Sequence, residues 1–533
     1  MNSRHVSSLT YTDWHYLLCL FSLSEMSAEE AEAQISGLSV EDEQPPPEYL
    51  QEGEEEIHGD AEEIEKPSDE VISKALSVKE AFGETPGDDE SEGFAPRTML
   101  PCGTPPPRKL NIWTLLKDAI GKDITRITLP CSFNEPLSFL QHCCEETLEY
   151  IDLLERAADK EDSMERLLHF TLWAIAGYTS SLDRLTKPFN PLLGETYEYL
   201  GKGGADSNKK YRYFAEQVSH HPPTSAFFAS SQDGQVEYWG DITLKNKFWG
   251  KSVEVYPRGY CYARLKGPRD DIFSLTKGTA VVHNVIVGKM WMEYVGKPEI
   301  LNTKTGEKAL LELKNAGWMD KRRHLIFAEI VGADGFVKYR LRGKWSESVY
   351  LEVVEGEVLP DKLGKKEKWE DVEDNGKYQK LWSRHSDSCA KDNYNYPDFT
   401  IGLNEIRPKQ KEFLPPTDCR YRPDQRKLED GDFKAATKLK LALEEKQRAA
   451  KKRREKAKEQ YVPRWFTKAG QGDSGWIYEG KLQQRSAHIG VQILHAPLFL
   501  GGILSGIAGK YWDVREKKEW AKMELPDIYL EEQ

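Results

Sequence analysis

An α+β fold, in which a nearly closed antiparallel β-barrel lies between helical N-terminal and C-terminal parts, is what the 533-residue sequence predicts. Two observations carry this. Between about Tyr211 and Val354 runs such as QVEYWGDITL, SVEVYPRGYCYARL, AVVHNVIVG, KMWMEYVG, ALLELK, HLIFAEIV and KYRLRGKW alternate apolar and polar side chains. They are rich in β-branched and aromatic residues and bounded by Gly, Asn and Asp, as expected of short strands in a sandwich or barrel. On either side the period is helical: Glu135 to Ala158 and Met164 to Leu182 before the strands, and a highly charged stretch from about Gly431 to Gln460 after them.

Ahead of these elements, residues 27 to 100 are crowded with Asp and Glu, interrupted by Pro45-Pro46-Pro47 and poor in aromatics. Such a stretch cannot bury enough apolar surface to offset its conformational entropy, so residues 1–108 read as a disordered acidic region and 109–533 as the folded domain. The net charge of −14 is largely a property of that tail. Order is expected to begin after CGTPPPRK, where Ile112, Trp113, Leu115, Leu116 and Ile120 fall at amphipathic spacing. Eight cysteines at irregular spacings, with Cys143 and Cys144 adjacent, form neither a zinc pattern nor a disulfide framework and read as reduced cytosolic thiols. No metal and no cofactor is expected. The apolar run Tyr16 to Leu23 is too short to span a bilayer, and Met26 opens a second possible start, so whether residues 1–25 belong to the mature chain stays open.

Three strings carry candidate chemistry. In EQVSHHPP (Glu216 to Pro223) the two prolines end a strand, and His220 and His221 can then sit at a rim where each is able to donate to an anionic oxygen; a structural or surface role fits them as well. KPFNPLLGETYE is a rigid loop presenting Lys187 and Asn190, or only a turn. In KLKLALEEKQR, Lys440, Glu444 and Arg448 stand four apart on one helix face, the spacing also of an ordinary solvated salt-bridge ladder.

EQVSHHPP resembles the fingerprint of the oxysterol-binding-protein-related family. So do FNEPLSFLQ, KPFNPLLGETYE, KFWGKSVEVYPRG, VHNVIVGKMW and LPPTDCRYRPDQR, all in family order over about Lys109 to Tyr529. The resemblance implies that the barrel encloses an apolar lipid tunnel covered by an N-terminal helical lid. It further implies that a sterol or another single lipid and phosphatidylinositol 4-phosphate use that tunnel. By the same resemblance Lys187, Asn190, His220, His221, Lys440, Glu444 and Arg448 hold the phosphoinositide headgroup. A phosphomonoester asks for several charge-assisted donors, so Glu444 is expected to orient Lys440 and Arg448 more than to touch phosphate. KLNIWTLLKDAIG suits the lid through Ile112, Trp113 and Leu116, or is an ordinary packed helix.

The chain is thus expected to be cytoplasmic and peripheral on intracellular membranes, with the basic run Lys446 to Lys458 attracting anionic lipid. That run lacks interleaved aromatics, and nucleic acid is not expected as a partner. With no pleckstrin-homology region ahead of the domain, the chain looks like a short family form. EYLQEGE (Glu48 to Glu54) is a weak FFAT-like motif for a VAP-type receptor. Between WIYEGK and YWDVREKKEW lies an unusual apolar segment, residues 482–510, whose excision would restore the family pattern; it reads as an aberrant insertion from a gene-model or splicing error, with a membrane anchor as the competing view. GDSG (Gly472 to Gly475) has no matching histidine motif and GIAGKY fails the P-loop pattern, so no catalytic constellation is expected. Exchange of lipids between membranes is the leading function; a lipid-dependent sensor or scaffold acting through the acidic tail is the alternative.

Overall fold

A computed structural model describes residues 96–103 and 131–529 apart from 205, 287, 317–321, 359–368, 370, 387–392, 470–474 and 479–510. The lid residues Ile112, Trp113 and Leu116, the acidic segment with Glu48 to Glu54, and the segment 482–510 therefore lie outside the described residues.

The chain enters through β1 (Asn134–Ser138), α1 (Phe139–Leu148), α2 (Asp152–Ala158), α3 (Ser163–Ala176) and β2 (Lys187–Phe189). The expectation of one helix from Glu135 to Ala158 is corrected here. Pro136 disfavours helical geometry at Glu135, so the segment extends and pairs in parallel with β2, Ser138 opposite Phe189. The helix starts only after Ser138, whose N–H donates to Gln141 Oε1 at 2.8 Å. Downstream, α3 begins where the Asp162 carboxylate accepts from the N–H of Glu165; the helix expected to Leu182 ends as a 3-10 turn over Gly177–Ser181.

The strands follow as β3 (Thr196–Lys202), β4 (Lys210–His220), β5 (Pro223–Ser231), β6 (Val236–Phe248), β7 (Ser252–Arg258), β8 (Cys261–Leu265), β9 (Asp271–Leu275), β10 (Thr279–His283) and β11 (Trp291–Val295). They continue as β12 (Glu299–Asn302), β13 (Lys308–Leu313), β14 (Leu325–Val331), β15 (Phe336–Lys344), β16 (Ser348–Val358) and β17 (Gln379–Ser383). All fifteen join one antiparallel sheet, and the bridge between Gly296 and Leu313 brings the end of the β11 branch back to β13. The run SVEVYPRGYCYARL, expected as one strand, is two: β7 pairs with the second half of β6 and β8 with its first half. The sheet forks at the junction between them. Gly259 sits there with φ +122, and a Cβ on it would stand 2.2 Å from the Asp241 carbonyl oxygen, so only glycine fits. The curved face wraps α3, which packs on β9, β12, β13 and β14.

The C-terminal part contributes α4 (Asp398–Ile401), α5 (Pro423–Glu429), α6 (Phe433–Ala457), β18 (Phe466–Lys468), β19 (Trp476–Tyr478) and α7 (Tyr511–Glu516). Buried carboxylates of the sheet hold it. Glu216 accepts from the N–H groups of Arg464 (2.8 Å) and Trp465 (3.0 Å), and Asp241 from those of Gly475 (2.8 Å) and Trp476 (3.0 Å). Glu198 takes Arg515 Nε at 2.7 Å and the Tyr511 hydroxyl. The rings of Tyr478 and Tyr511 both pack on Phe214, with centroids 5.8 and 4.0 Å away. The described residues on either side of 479–510 therefore meet in one aromatic cluster.

Replacing Gly259 by Ala is expected to destabilise the domain by about 3 kcal/mol, through strained backbone and overpacking at the fork. Urea denaturation checks this; a change below about 1 kcal/mol would show that the fork tolerates a side chain.

Candidate functional site

The elements that frame the site meet where β2, the turn after β4 and the long helix α6 converge. Of the 25 residues of α6 described, the buried ones are Ala436, Lys440 and Leu443, a row at spacings of four and three. A lysine in that row points inward. Lys440 Nζ lies 3.6 Å from Glu444 Oε1, and Arg448 Nη1 lies 3.8 Å from Glu444 Oε2, so the carboxylate stands between two cations. The ladder spacing read from sequence is present, but one of its cations is buried, which a solvated ladder would not require.

Lys187 opens β2, its carbonyl fixed by Asn134 Nδ2 at 3.2 Å. The side chain reaches water, with Lys440 and Glu444 close enough to act on its charge. Burial, reinforced by the charge of Lys440 and opposed by Glu444, pushes Lys187 down to about 8. Lys187 thus lies within electrostatic reach of both Lys440 and Glu444. Asn190 is exposed, and its carbonyl accepts from Arg422 Nη1 at 2.8 Å.

His220 ends β4 and His221 begins the turn, with ring centroids 4.8 Å apart. Gln447 of α6 connects this turn to the Lys187 loop: its Oε1 accepts from the Leu193 N–H at 2.8 Å, so its amide nitrogen donates to His220 Nε2 at 2.7 Å. That assignment puts the His220 proton on Nδ1. Burial, then the charges of His221 and Arg422, push His220 down to about 4, so it is neutral at physiological pH; the Pro191 carbonyl opposes the shift.

Four segments are therefore gathered: β2 with its loop, the β4–β5 turn, α6, and the stretch before α5. Lys187, His220, His221, Lys440, Glu444 and Arg448 enter this network through side chains, Asn190 through its backbone. Three residues that hold it were not singled out from sequence. Gln447 lies three positions beyond Glu444 and seven beyond Lys440, so helical spacing alone could have found it. Glu195 and Arg422 stand inside the KPFNPLLGETYE and LPPTDCRYRPDQR strings, and their buried pair at 3.1 Å is what draws those strings together. Chemically, these segments bring several cationic donors to one carboxylate, Glu444, an arrangement that suits a multiply charged anion better than any acid–base step.

Comparison with known proteins identifies relatives of the chain and of its fold. The family model "Oxysterol-binding protein" matches residues 111–487. Oxysterol-binding protein-related protein 1 of Rattus norvegicus is 35% identical over 455 residues, 80% of this chain and 46% of its own length. Oxysterol-binding protein-related protein 2 of Mus musculus is 34% identical, with 73% of this chain and 86% of that protein aligned. The chain thus spans about half the length of several curated relatives it matches. Among solved structures, the Osh1 ORD domain in complex with cholesterol shares a TM-score of 0.67 and 29% identity, over 87% of this chain and 100% of that one. The Osh3 ORD in complex with PI(4)P from Saccharomyces cerevisiae has a TM-score of 0.61 and 29% identity, over 81% and 98%. On the extent of the family match and the identity over four-fifths of its length, this chain belongs to the oxysterol-binding protein family.

Proposed function

We propose that this chain transfers lipids between membranes, carrying one at a time and exchanging a sterol or another apolar lipid for phosphatidylinositol 4-phosphate, without catalysis. What supports the reading is that Lys187, Lys440 and Arg448 are gathered about Glu444 from two segments, with the His220–His221 turn tied to the same helix through Gln447. A phosphomonoester is close to doubly charged above pH 7 and takes several charge-assisted donors at once. Glu444 orients the two cations of α6 and lies between them. The similar folds solved with cholesterol and with PI(4)P support two lipid classes for one domain.

A sterol buries several hundred Å² of apolar surface, so at about 25 cal/mol per Å² a dry interior outcompetes water by many kcal/mol, whereas extraction from a bilayer gains far less. Exchange against a headgroup-bound lipid supplies the missing drive. In this reading the protein works in the cytoplasm as a peripheral visitor to membranes, with Ile112, Trp113 and Leu116 in a lid and Glu48–Glu54 as a receptor motif. Among the described residues no helix is long and apolar enough to cross a membrane. In this reading the segment 482–510 is an aberrant insertion, which is supported by the packing of Tyr478 and Tyr511, on either side of it, on the same ring.

Phosphoinositide and sterol exchange between vesicles is expected to survive deletion of residues 1–100 or of 482–510, and to fall more than tenfold in a His220→Ala/His221→Ala variant through the lost hydrogen bonds to a charged group. Normal exchange by the double variant would remove the headgroup assignment; loss on deleting the tail would favour the sensor or scaffold. A second expectation follows from Lys187. Its ammonium is favoured below about 8 and lost above it, while the phosphate charge no longer changes there. Affinity for a water-soluble phosphatidylinositol 4-phosphate should therefore hold near pH 7 and weaken towards about tenfold per unit above pH 8. Lys187→Arg should flatten that slope. A flat wild-type profile from pH 7 to 9.5, measured by calorimetry, would contradict a role for Lys187 in binding.

A further inference from the structure

KFWGKSVEVYPRG and VHNVIVGKMW supply two turns that the headgroup site leaves unused. Thr224 of β5 pairs with Thr243 of β6, so β6 passes beside the His220–Pro223 turn and runs on to Phe248, roughly 16 Å further at strand rise. The β6–β7 turn then projects from the same end of the sheet as the histidine pair. Its neighbour is the β10–β11 turn, because His283 of β10 pairs with Ser252 of β7 and the Val285 N–H donates to the Lys251 carbonyl at 3.1 Å.

At the tip, Trp249 is 43% exposed, one of the few large apolar side chains so exposed among the described residues. It is held in place: Lys247 Nζ lies 3.9 Å from the ring centroid, and the side chain hydrogen-bonds the buried Glu254 carboxylate. Lys251 and Lys289 are exposed on the two turns. Beside them Arg323 lies 3.8 Å over the ring of Trp291, which stacks on His283 at 4.1 Å. The acids of these strands, Glu254 and Glu293, are buried, and Glu293 is engaged by His283 at 2.8 Å. The exposed charge on both described turns is therefore basic.

An exposed, positioned indole with one ammonium over it and two more on the adjoining turns has the composition of an interfacial anchor: the ring prefers the headgroup layer, and the cations complement lipid phosphates. We propose that this end of the sheet docks on an anionic bilayer surface, with Trp249 seated among the headgroups and Lys247, Lys251 and Lys289 facing the lipid charge. Docking in this orientation turns the His220–His221 rim towards the same surface. The docking itself needs no phosphoinositide; its use, delivery of a headgroup to the rim, rests on the function proposed above.

The test is co-sedimentation of the full chain with phosphatidylcholine vesicles made with or without phosphatidylserine, all free of phosphoinositide. Wild type should partition to the anionic vesicles. Lys247→Ala/Lys251→Ala should lower partitioning about fivefold per lysine, and Trp249→Ala severalfold. A reduction and not abolition is expected, because the basic run of α6 adds its own attraction. Binding of a water-soluble phosphoinositide should be unchanged in these variants, which shows that they fold. Where Trp249→Ala disturbs the fold, Lys289→Ala and Lys251→Ala at exposed positions carry the same test. Variants that partition like wild type, or a wild type that binds neutral and anionic vesicles equally, would overturn the proposal. Anionic-vesicle binding by a wild type that ignores soluble phosphoinositide would instead leave the docking intact and remove the headgroup reading.

Discussion

The geometry of the site depends on one buried pair, Glu195 with Arg422. Glu195 is fully buried; one oxygen accepts from Ser138 Oγ at 2.8 Å, the other from the Leu192 N–H at 3.0 Å and from Arg422 Nη1 at 3.1 Å. Arg422 reaches on to the Asn190 carbonyl and to Asp424 at 2.8 Å each. A single carboxylate thus ties the end of β1, the loop carrying Lys187 and Asn190, and the segment leading into α5. Burial raises the Glu195 carboxyl, and Arg422 opposes that rise. Pairs of this kind contribute little net stability against an apolar substitute, whereas removing one partner typically costs about 3–5 kcal/mol. What such a pair supplies here is position.

Around that anchor the electrostatics are left unbalanced. Lys187 and Lys440 stand near each other with Glu444 as the nearest acid, and His220 is kept neutral by burial and neighbouring positive charge. An anion brought to this place would offset the burial and the repulsion that depress Lys187, so binding and charge would be coupled. Gln447 adds a neutral strut between α6, the Lys187 loop and His220, fixing the donors without adding charge. The same end of the sheet carries Trp249 and its lysines, so the polar rim and the apolar anchor are offered in one direction.

Much of this was legible along the chain because strands and helices leave local periods. The runs ALLELK, HLIFAEIV and KYRLRGKW lie where β13, β14 and β15 form, and the four-residue spacing of Lys440, Glu444 and Arg448 survives in α6. What failed was decided by a single residue or a distant partner. Pro136 turned the start of a stretch of helical spacing into β1, and Gly259 split one alternating run into β7 and β8, because β6 is long enough to pair with both. The inward turn of Lys440 and the strut formed by Gln447 depend on what α6 packs against. No local period carries that information, and the lid and the 482–510 segment stay with the sequence alone.

Glu195 sets the Lys187 loop in place, and calorimetric titration of a water-soluble phosphatidylinositol 4-phosphate into Glu195→Ala tests its part in binding most directly. Arg422 keeps Asp424 as a partner in this variant, so a folded protein is expected with affinity reduced tenfold or more, as for loss of a positioned charge-assisted contact. A variant that melts cooperatively and binds the lipid as tightly as wild type would contradict the account.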